Sequence, residues 1–187
     1  MSVIEFNNKL WMFGGWSPVT GYTSDVWQSA DGASWTKAVA NAPWPPREGQ
    51  TAEVFQNKVW LIGGVNYDAR QVKNDIWFSE DGVNWQEATS SASWSPRWDH
   101  ATAVFHSKIF LAGGMNLTKG IFNDIWSSSD GIHWELVHSN APWETRQGHA
   151  LLPFRNQLWI VGRLNNAASG GANDMWSSDD GKNWNNV

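Results

Sequence analysis

Short stretches in which apolar and polar residues alternate recur along the whole chain, and a period of two is typical of β-strands with one buried face. In the second repeat of this pattern, strands are expected at residues 51–55, 58–62, 75–78 and 85–89. Asp81-Gly82, between the last two, is a strong hairpin signal. The pattern therefore predicts an antiparallel sheet of four strands, a unit that occurs four times.

The repeats keep a tight register. The string Asn74-Asp75-Ile76-Trp77, followed by an Asp-Gly turn and Trp85, has close copies beginning at Ser24, Asn123 and Asn173. A period of about 50 residues is typical of propeller repeats. We therefore predict an all-β, four-bladed propeller in one domain, residues 1–187, with blades at about 1–47, 48–97, 98–146 and 147–187.

Glycine doublets mark the same place in each repeat. They stand at Gly14-Gly15, Gly63-Gly64 and Gly113-Gly114, and the fourth is changed to Gly162-Arg163. We expect each doublet to end a second strand and to open a longer loop. Because rigid scaffolds usually carry recognition on variable loops, these loops are candidate binding elements, and the side chains singled out in them are Trp16, Tyr67, Arg70 and Arg163.

The sixteen Trp residues outnumber the eight Phe and two Tyr. Fourteen of them recur at fixed places: in the second, third and fourth strands and in the linkers between blades. Each indole can bury about 150–250 Å², so these side chains are expected to form the cores between blades. Trp16 and Trp98 fall outside the pattern and are the first candidates for stacking on a ligand.

Composition narrows the functional classes. There is no cysteine, which excludes disulfides and thiolate metal sites. A net charge of −5 argues against a nucleic-acid surface, and no apolar run approaches the ~18 residues of a membrane helix. We also find no signal peptide and no phosphate-binding or catalytic motif, and we expect no cofactor and no metal. The compartment stays open.

The doublets, the third-strand aromatic, the Trp eight residues later and the Pro-Arg linkers together resemble the kelch repeat family, over essentially the whole chain. Trp stands at the third-strand position where kelch repeats commonly have Tyr, and in this respect the chain resembles a Trp-rich bacterial type of kelch blade. Residues 177–184 also resemble the Asp-box hairpin of sialidase propellers. The resemblance implies a non-catalytic module that binds a protein, peptide or glycan.

Three linker arginines, Arg47, Arg97 and Arg146, precede the first strands of blades two to four. If the three side chains surround one opening of the central channel, they would form a ring of positive charge able to bind carboxylates. The alternative, which we favour, is a structural role in which each bonds carbonyl groups and stacks on the linker Trp. His100 and His149 share the next repeat position with Gln50, and there too we favour a structural hydrogen bond over a metal site.

Glu48, Trp98 and Asp99 complete the set of candidate ligand-binding residues on the face formed by linkers and loops. Two further interpretations of the function and assembly of the chain stay open. The kelch fold is similar to that of sialic-acid epimerases or mutarotases, for which Arg47 with Glu48, or Arg97 with Asp99 and His100, would supply the chemistry. Alternatively, the chain is a fragment or engineered part of a larger propeller with no function of its own. Four blades could close alone or two chains could pair into eight, and the arrangement that we favour is the homodimer.

Overall fold

The computed structural model describes residues 1–162 and 174–187. It contains four four-stranded antiparallel sheets, each paired in chain order, which confirms the predicted four-bladed propeller. Blade one consists of β1 (Ser2–Phe6), β2 (Lys9–Ser17), β3 (Gly21–Ser29) and β4 (Thr36–Val39). Blade two consists of β5 (Thr51–Phe55), β6 (Lys58–Asn66), β7 (Gln71–Ser79) and β8 (Trp85–Thr89).

The second half of the chain repeats the arrangement with one addition. Blade three consists of β9 (Ala101–Phe105), β10 (Lys108–Ala112), β13 (Ile125–Ser128) and β14 (Glu135–His138), with a separate pair, β11 (Met115–Asn116) and β12 (Gly120–Ile121), beyond its glycine doublet. Blade four consists of β15 (Ala150–Phe154), β16 (Gln157–Val161), β17 (Met175–Ser178) and β18 (Asn185–Asn186). No helix able to span a membrane occurs within these described residues.

The expectation that the doublet ends the second strand is wrong for the first two blades. In blade two, β6 continues through Gly63-Gly64 and pairs with β7 as far as Asn66 and Gln71, with a register shift between Ile62 and Gly64. Glycine permits the bulge because both residues have positive φ, 61° and 110°. Much of the expected loop is therefore a rigid hairpin that extends the blade toward one face of the propeller.

The turns between third and fourth strands follow local chemistry. In blade one, Asp31 accepts hydrogen bonds from the backbone N–H groups of Ala33 and Ser34, which lower the pKa of its carboxyl to about 2. Gly32 has a φ of +76°, a conformation that favours glycine. The other three Asp-Gly turns have the same bonds, at Asp81, Asp130 and Asp180.

Three apolar cores lie between consecutive blades, and each combines residues of both neighbours. The core between blades one and two brings Phe6 and Trp11 of the first against Leu61 and Trp85 of the second, with the linker Trp44 between them. The other two cores repeat this arrangement with Trp94 and Trp143. The linker indoles pack edge-on against the Trp at the fourth strand of the next blade, which confirms the predicted role of these tryptophans between blades. The prediction is wrong for Trp27, Trp35 and Trp159, which belong to none of the three cores.

Candidate ligand-binding face

The linker arginines join neighbouring blades. The guanidinium group of Arg47 donates to both carboxylate oxygens of Asp75, at 2.5 and 2.7 Å, and to the carbonyl of Gly63 at 2.9 Å. Arg97 contacts Asp124 and Gly113 in the same way, and Arg146 contacts Asp174 and Gly162. Each arginine therefore fastens its linker to the following blade, at an aspartate within the third strand (Asp75) or directly before it (Asp124 and Asp174).

The backbone of each arginine is held by the preceding blade. The N–H of Arg47 donates to the carbonyl of Thr23, and its own carbonyl accepts the N–H of Gly15. Arg97 and Arg146 make the equivalent bonds to the second and third blades. One residue thus has its main chain on one blade and its side chain on the next, and all three side chains are fully buried.

This burial bears on the choice between a ring of positive charge that binds carboxylates and the structural role that the sequence favours for the linker arginines. Four of the five N–H donors of Arg47 and of Arg97 are used inside the protein, because Nε also donates to the carbonyl of Pro45 or Ser95. Burial acts to raise the pKa of Asp75, but the Arg47 guanidinium outweighs it and lowers that pKa. The structure places these arginines in internal ion pairs, and an external carboxylate could reach them only by displacing an aspartate.

The side chains at the next repeat position, Gln50, His100 and His149, are also buried. Gln50 donates from Nε2 to the carbonyl of Phe13 in the preceding blade, and His100 Nε2 lies 3.1 Å from Thr51 Oγ1. His100 and His149 are both buried. Burial, with the nearby charge of Arg97, holds the pKa of His100 well below its usual value, and burial with Arg146 lowers the pKa of His149 to about 3.

We predict that buried neutral histidines make the fold sensitive to acid. Below pH 6.5 the unfolded chain binds a proton at His149 that the folded chain excludes, so this one group lowers stability by about 1.4 kcal/mol for each unit by which the pH falls. His149→Gln, which copies the residue found naturally at position 50, should remove this contribution. Urea titrations at several pH values between about 6.5 and 4.5 measure it.

His106→Gln, the same substitution at an exposed histidine, is the matched control for this measurement. An equally steep loss of stability in wild type and His149→Gln would contradict the prediction.

The first strands of all four blades line a central cavity of about 280 Å³, which His100 and His149 also border. Glu53 faces this cavity and accepts a hydrogen bond from Thr102 Oγ1 at 2.8 Å. Burial raises the pKa of Glu53 to about 7. Sequence reasoning missed this carboxyl group, although it stands where the other blades have Ile4, Ala103 and Leu152. Among residues 1–162 and 174–187, no three His, Asp or Glu are grouped to hold a metal.

Several candidate residues do come together on the face formed by linkers and extended hairpins. The Tyr67 ring packs edge-on against Trp98, with ring centroids 5.4 Å apart. Tyr22 Oη donates to Glu48 Oε1 at 3.4 Å. Tyr67 remains 42% exposed while Trp98 is buried beneath it. This group, with Asp99, is named the acidic aromatic cluster below.

Negative charge is concentrated in the cluster. Burial and then the charges of Asp99 and Glu48 raise the pKa of Tyr67. Partial desolvation of its carboxyl group, followed by the charge of Glu48, raises the pKa of Asp99, and the amino group of Met1 acts in the opposite direction. Asp68 adds to the field at Tyr22. The cluster is therefore acidic and presents an accessible aromatic ring.

Two loop candidates lie beside the cluster. Trp16 is 52% exposed and lines a surface cavity of about 540 Å³ with Tyr22. Arg70 is exposed in the hairpin turn of blade two, with a φ of 51°. The remaining candidate, Arg163, lies outside the described residues.

Four antiparallel four-stranded blades, joined by buried linkers around a cavity bordered by their first strands, define a β-propeller. A family model of the KLHDC2/KLHL20/DRC7 Kelch-repeats domain matches residues 1–187, so the chain belongs to the Kelch-repeat family. No curated protein sequence matches the chain significantly. Kelch-repeat domains are protein-interaction propellers and are generally not enzymes.

Proposed function

We propose that this chain is a non-catalytic interaction module whose ligand is a peptide segment of a partner protein that carries a basic side chain. The ligand binds at the acidic aromatic cluster. The observation that carries the proposal is the convergence of Glu48 and Asp99 beside the exposed ring of Tyr67. A guanidinium or ammonium group can stack on such a ring and pair with such carboxylates.

Two features of the surroundings support a peptide. The exposed Trp16 adjoins Tyr22, which contacts Glu48, so an apolar contact surface continues from the acidic one. The cluster also rests on a hydrogen-bonded hairpin and a buried linker, and such ordered backbone limits the entropy lost on binding. A glycan remains a second ligand for the same face because Trp16 presents a ring on which a sugar can stack.

An enzymatic role as a sugar epimerase receives less support from the geometry. Arg47 and Arg97, the arginines of the two residue sets considered for that chemistry, are fully buried in ion pairs with Asp75 and Asp124. His100 is also buried.

The expected result is binding that depends on the two acids. A peptide array in which one Arg is placed in neutral peptides, followed by fluorescence anisotropy, should identify ligands that Glu48→Gln/Asp99→Asn binds at least about tenfold more weakly. Affinity should also fall as salt is raised, since the charges lie at the surface. Glu87→Gln, on the exposed rim of the same blade, is the matched control and should bind as wild type.

Selection of acidic peptides, or binding that is unchanged in the double variant, would overturn the proposal. Binding of glycans that is lost in Trp16→Ala and retained in the double variant would replace the peptide with a sugar.

A further inference from the structure

In the first three blades, the apolar side chains on one side of the sheet are covered by the blade that follows. Phe6, Phe55 and Phe105 occupy one repeat position at the end of the first strand and are 4%, 4% and 5% exposed. Val26, Ile76 and Ile125, in the third strands, are equally buried. We call this side of a blade its leading face, and the side that receives it on the next blade the trailing face.

The leading face of blade four has no such cover among the described residues. Phe154 is 53% exposed and Met175 is 40% exposed, at the positions where the other blades are closed. Trp159 is partly exposed, whereas Trp11, Trp60 and Phe110 at its repeat position are buried. An apolar face of this kind is unusual on the surface of a monomer.

The trailing face of blade one is open in the matching way. Leu10 and Met12 are partly exposed, whereas Val59 and Leu61, at the same positions in blade two, are fully buried. A β-carbon placed on Gly131 would lie 2.6 Å from the ring of Trp60 in the preceding blade, but one on Gly32 would meet only Leu10 of its own blade. The position that an aromatic ring occupies in each internal joint is therefore vacant in blade one.

Blade one also differs in its charge. At the position of Asp75, Asp124 and Asp174, which pair with linker arginines, Asp25 pairs with Lys37 of its own blade at 3.3 Å. Lys37 also lies over the Trp27 ring, with Nζ 4.8 Å from the centroid. Blades two to four have Glu87, Leu136 and Asn186 at the place of Lys37. Blade one thus neutralises its aspartate with a lysine of its own sheet, whereas the other three blades use a linker arginine.

We propose that a second copy of this chain covers both faces: the leading face of blade four in each copy packs on the trailing face of blade one in the other. The two contacts are related by a two-fold axis and close a ring of eight blades. The occupant is another copy because the three internal joints show which surface fits a leading face, and the described residues present one uncovered surface of each kind. A two-fold pairing leaves neither face exposed.

Solution mass tests the pairing. Sedimentation equilibrium should give twice 21.0 kDa at micromolar concentration, and Phe154→Asp/Met175→Asp should give 21.0 kDa with an unchanged far-UV circular dichroism spectrum. Leu136→Asp is the matched control, because Leu136 is 50% exposed on the rim of blade three, and it should stay dimeric. A wild-type monomer at about 100 μM, or an open series of higher oligomers, would overturn the proposal.

Crosslinking tests whether the leading face of blade four meets the trailing face of blade one. In the joint between blades two and three, Gln56 Nε2 donates to the carbonyl of Ser129 at 3.0 Å, and the corresponding residues of the proposed joint are Arg155 and Ala30. The chain has no cysteine, so Arg155→Cys/Ala30→Cys with a short bismaleimide should yield a covalent dimer. Arg155→Cys/Val83→Cys should not. Crosslinking within one chain would show that the ring closes on itself and would overturn the proposal.

Discussion

Replacing Arg97 with alanine should lower the free energy of unfolding by about 3–5 kcal/mol, because the change leaves the Asp124 carboxylate at a largely buried position without its cation. The carbonyl groups of Gly113 and Ser95 lose their donors in the same step. Chemical denaturation at one fixed chain concentration measures the loss. The concentration is fixed because association would otherwise change the apparent stability.

The control for this substitution is Arg70→Ala. Arg70 is exposed in a hairpin turn of the same blade, and its replacement should change stability by less than about 0.5 kcal/mol. A double-mutant cycle with Asp124→Ala separates the pair from its surroundings, and Arg97→Ala/Asp124→Ala should be less destabilised than the two single losses added together. If Arg97→Ala unfolds with the wild-type midpoint, the linker arginine does not join the blades energetically.

Replacing Trp94 with alanine is expected to cost a similar amount, about 3–5 kcal/mol. Trp94 is 1% exposed between blades two and three and packs edge-on against Trp134, with ring centroids 6.1 Å apart. Its indole nitrogen has no hydrogen-bond acceptor among the described residues, so the expected loss comes from packing and the cavity left behind. The change in midpoint of a urea titration gives the value.

Trp16→Ala is the matched control for Trp94→Ala, since the Trp16 indole is half exposed. It should cost less than about 1 kcal/mol. Equal losses for the two variants would show that the linker indoles do not hold the blades together.

Much of the fold was predictable because its determinants are local. The alternation of apolar and polar residues along the strands and the four Asp-Gly turns depend on residues that are close in sequence. Because the same pattern occurs four times, each predicted strand and turn is supported by the other three copies. The third-strand, fourth-strand and linker Trp positions likewise indicated cores between blades. The extension of β6 beyond Gly63 was not predictable, because it depends on a bulge that restores pairing after a register shift.

The candidate site was predictable only as a region. The sequence indicated the linkers and the loops after the glycine doublets, but not which of their side chains would face solvent. Arg47 and Arg97 proved to be buried, whereas Glu48 and Asp99, one and two residues further along the chain, contribute to an acidic surface with Tyr67. Neighbours in sequence were separated because a linker passes between two sheets.

The sequence by itself determined that there are four blades, the order of the four strands and their turns in each, and that the linker tryptophans lie between blades, since all of these follow from repeated short-range patterns. Only the tertiary structure decided that a linker arginine pairs with an aspartate 27 or 28 residues later, on the next blade. It also decided that Phe154 is exposed while Phe6, Phe55 and Phe105 are buried. The four repeats have similar sequences, but the burial of the apolar side chains in each repeat depends on whether a neighbouring blade covers them.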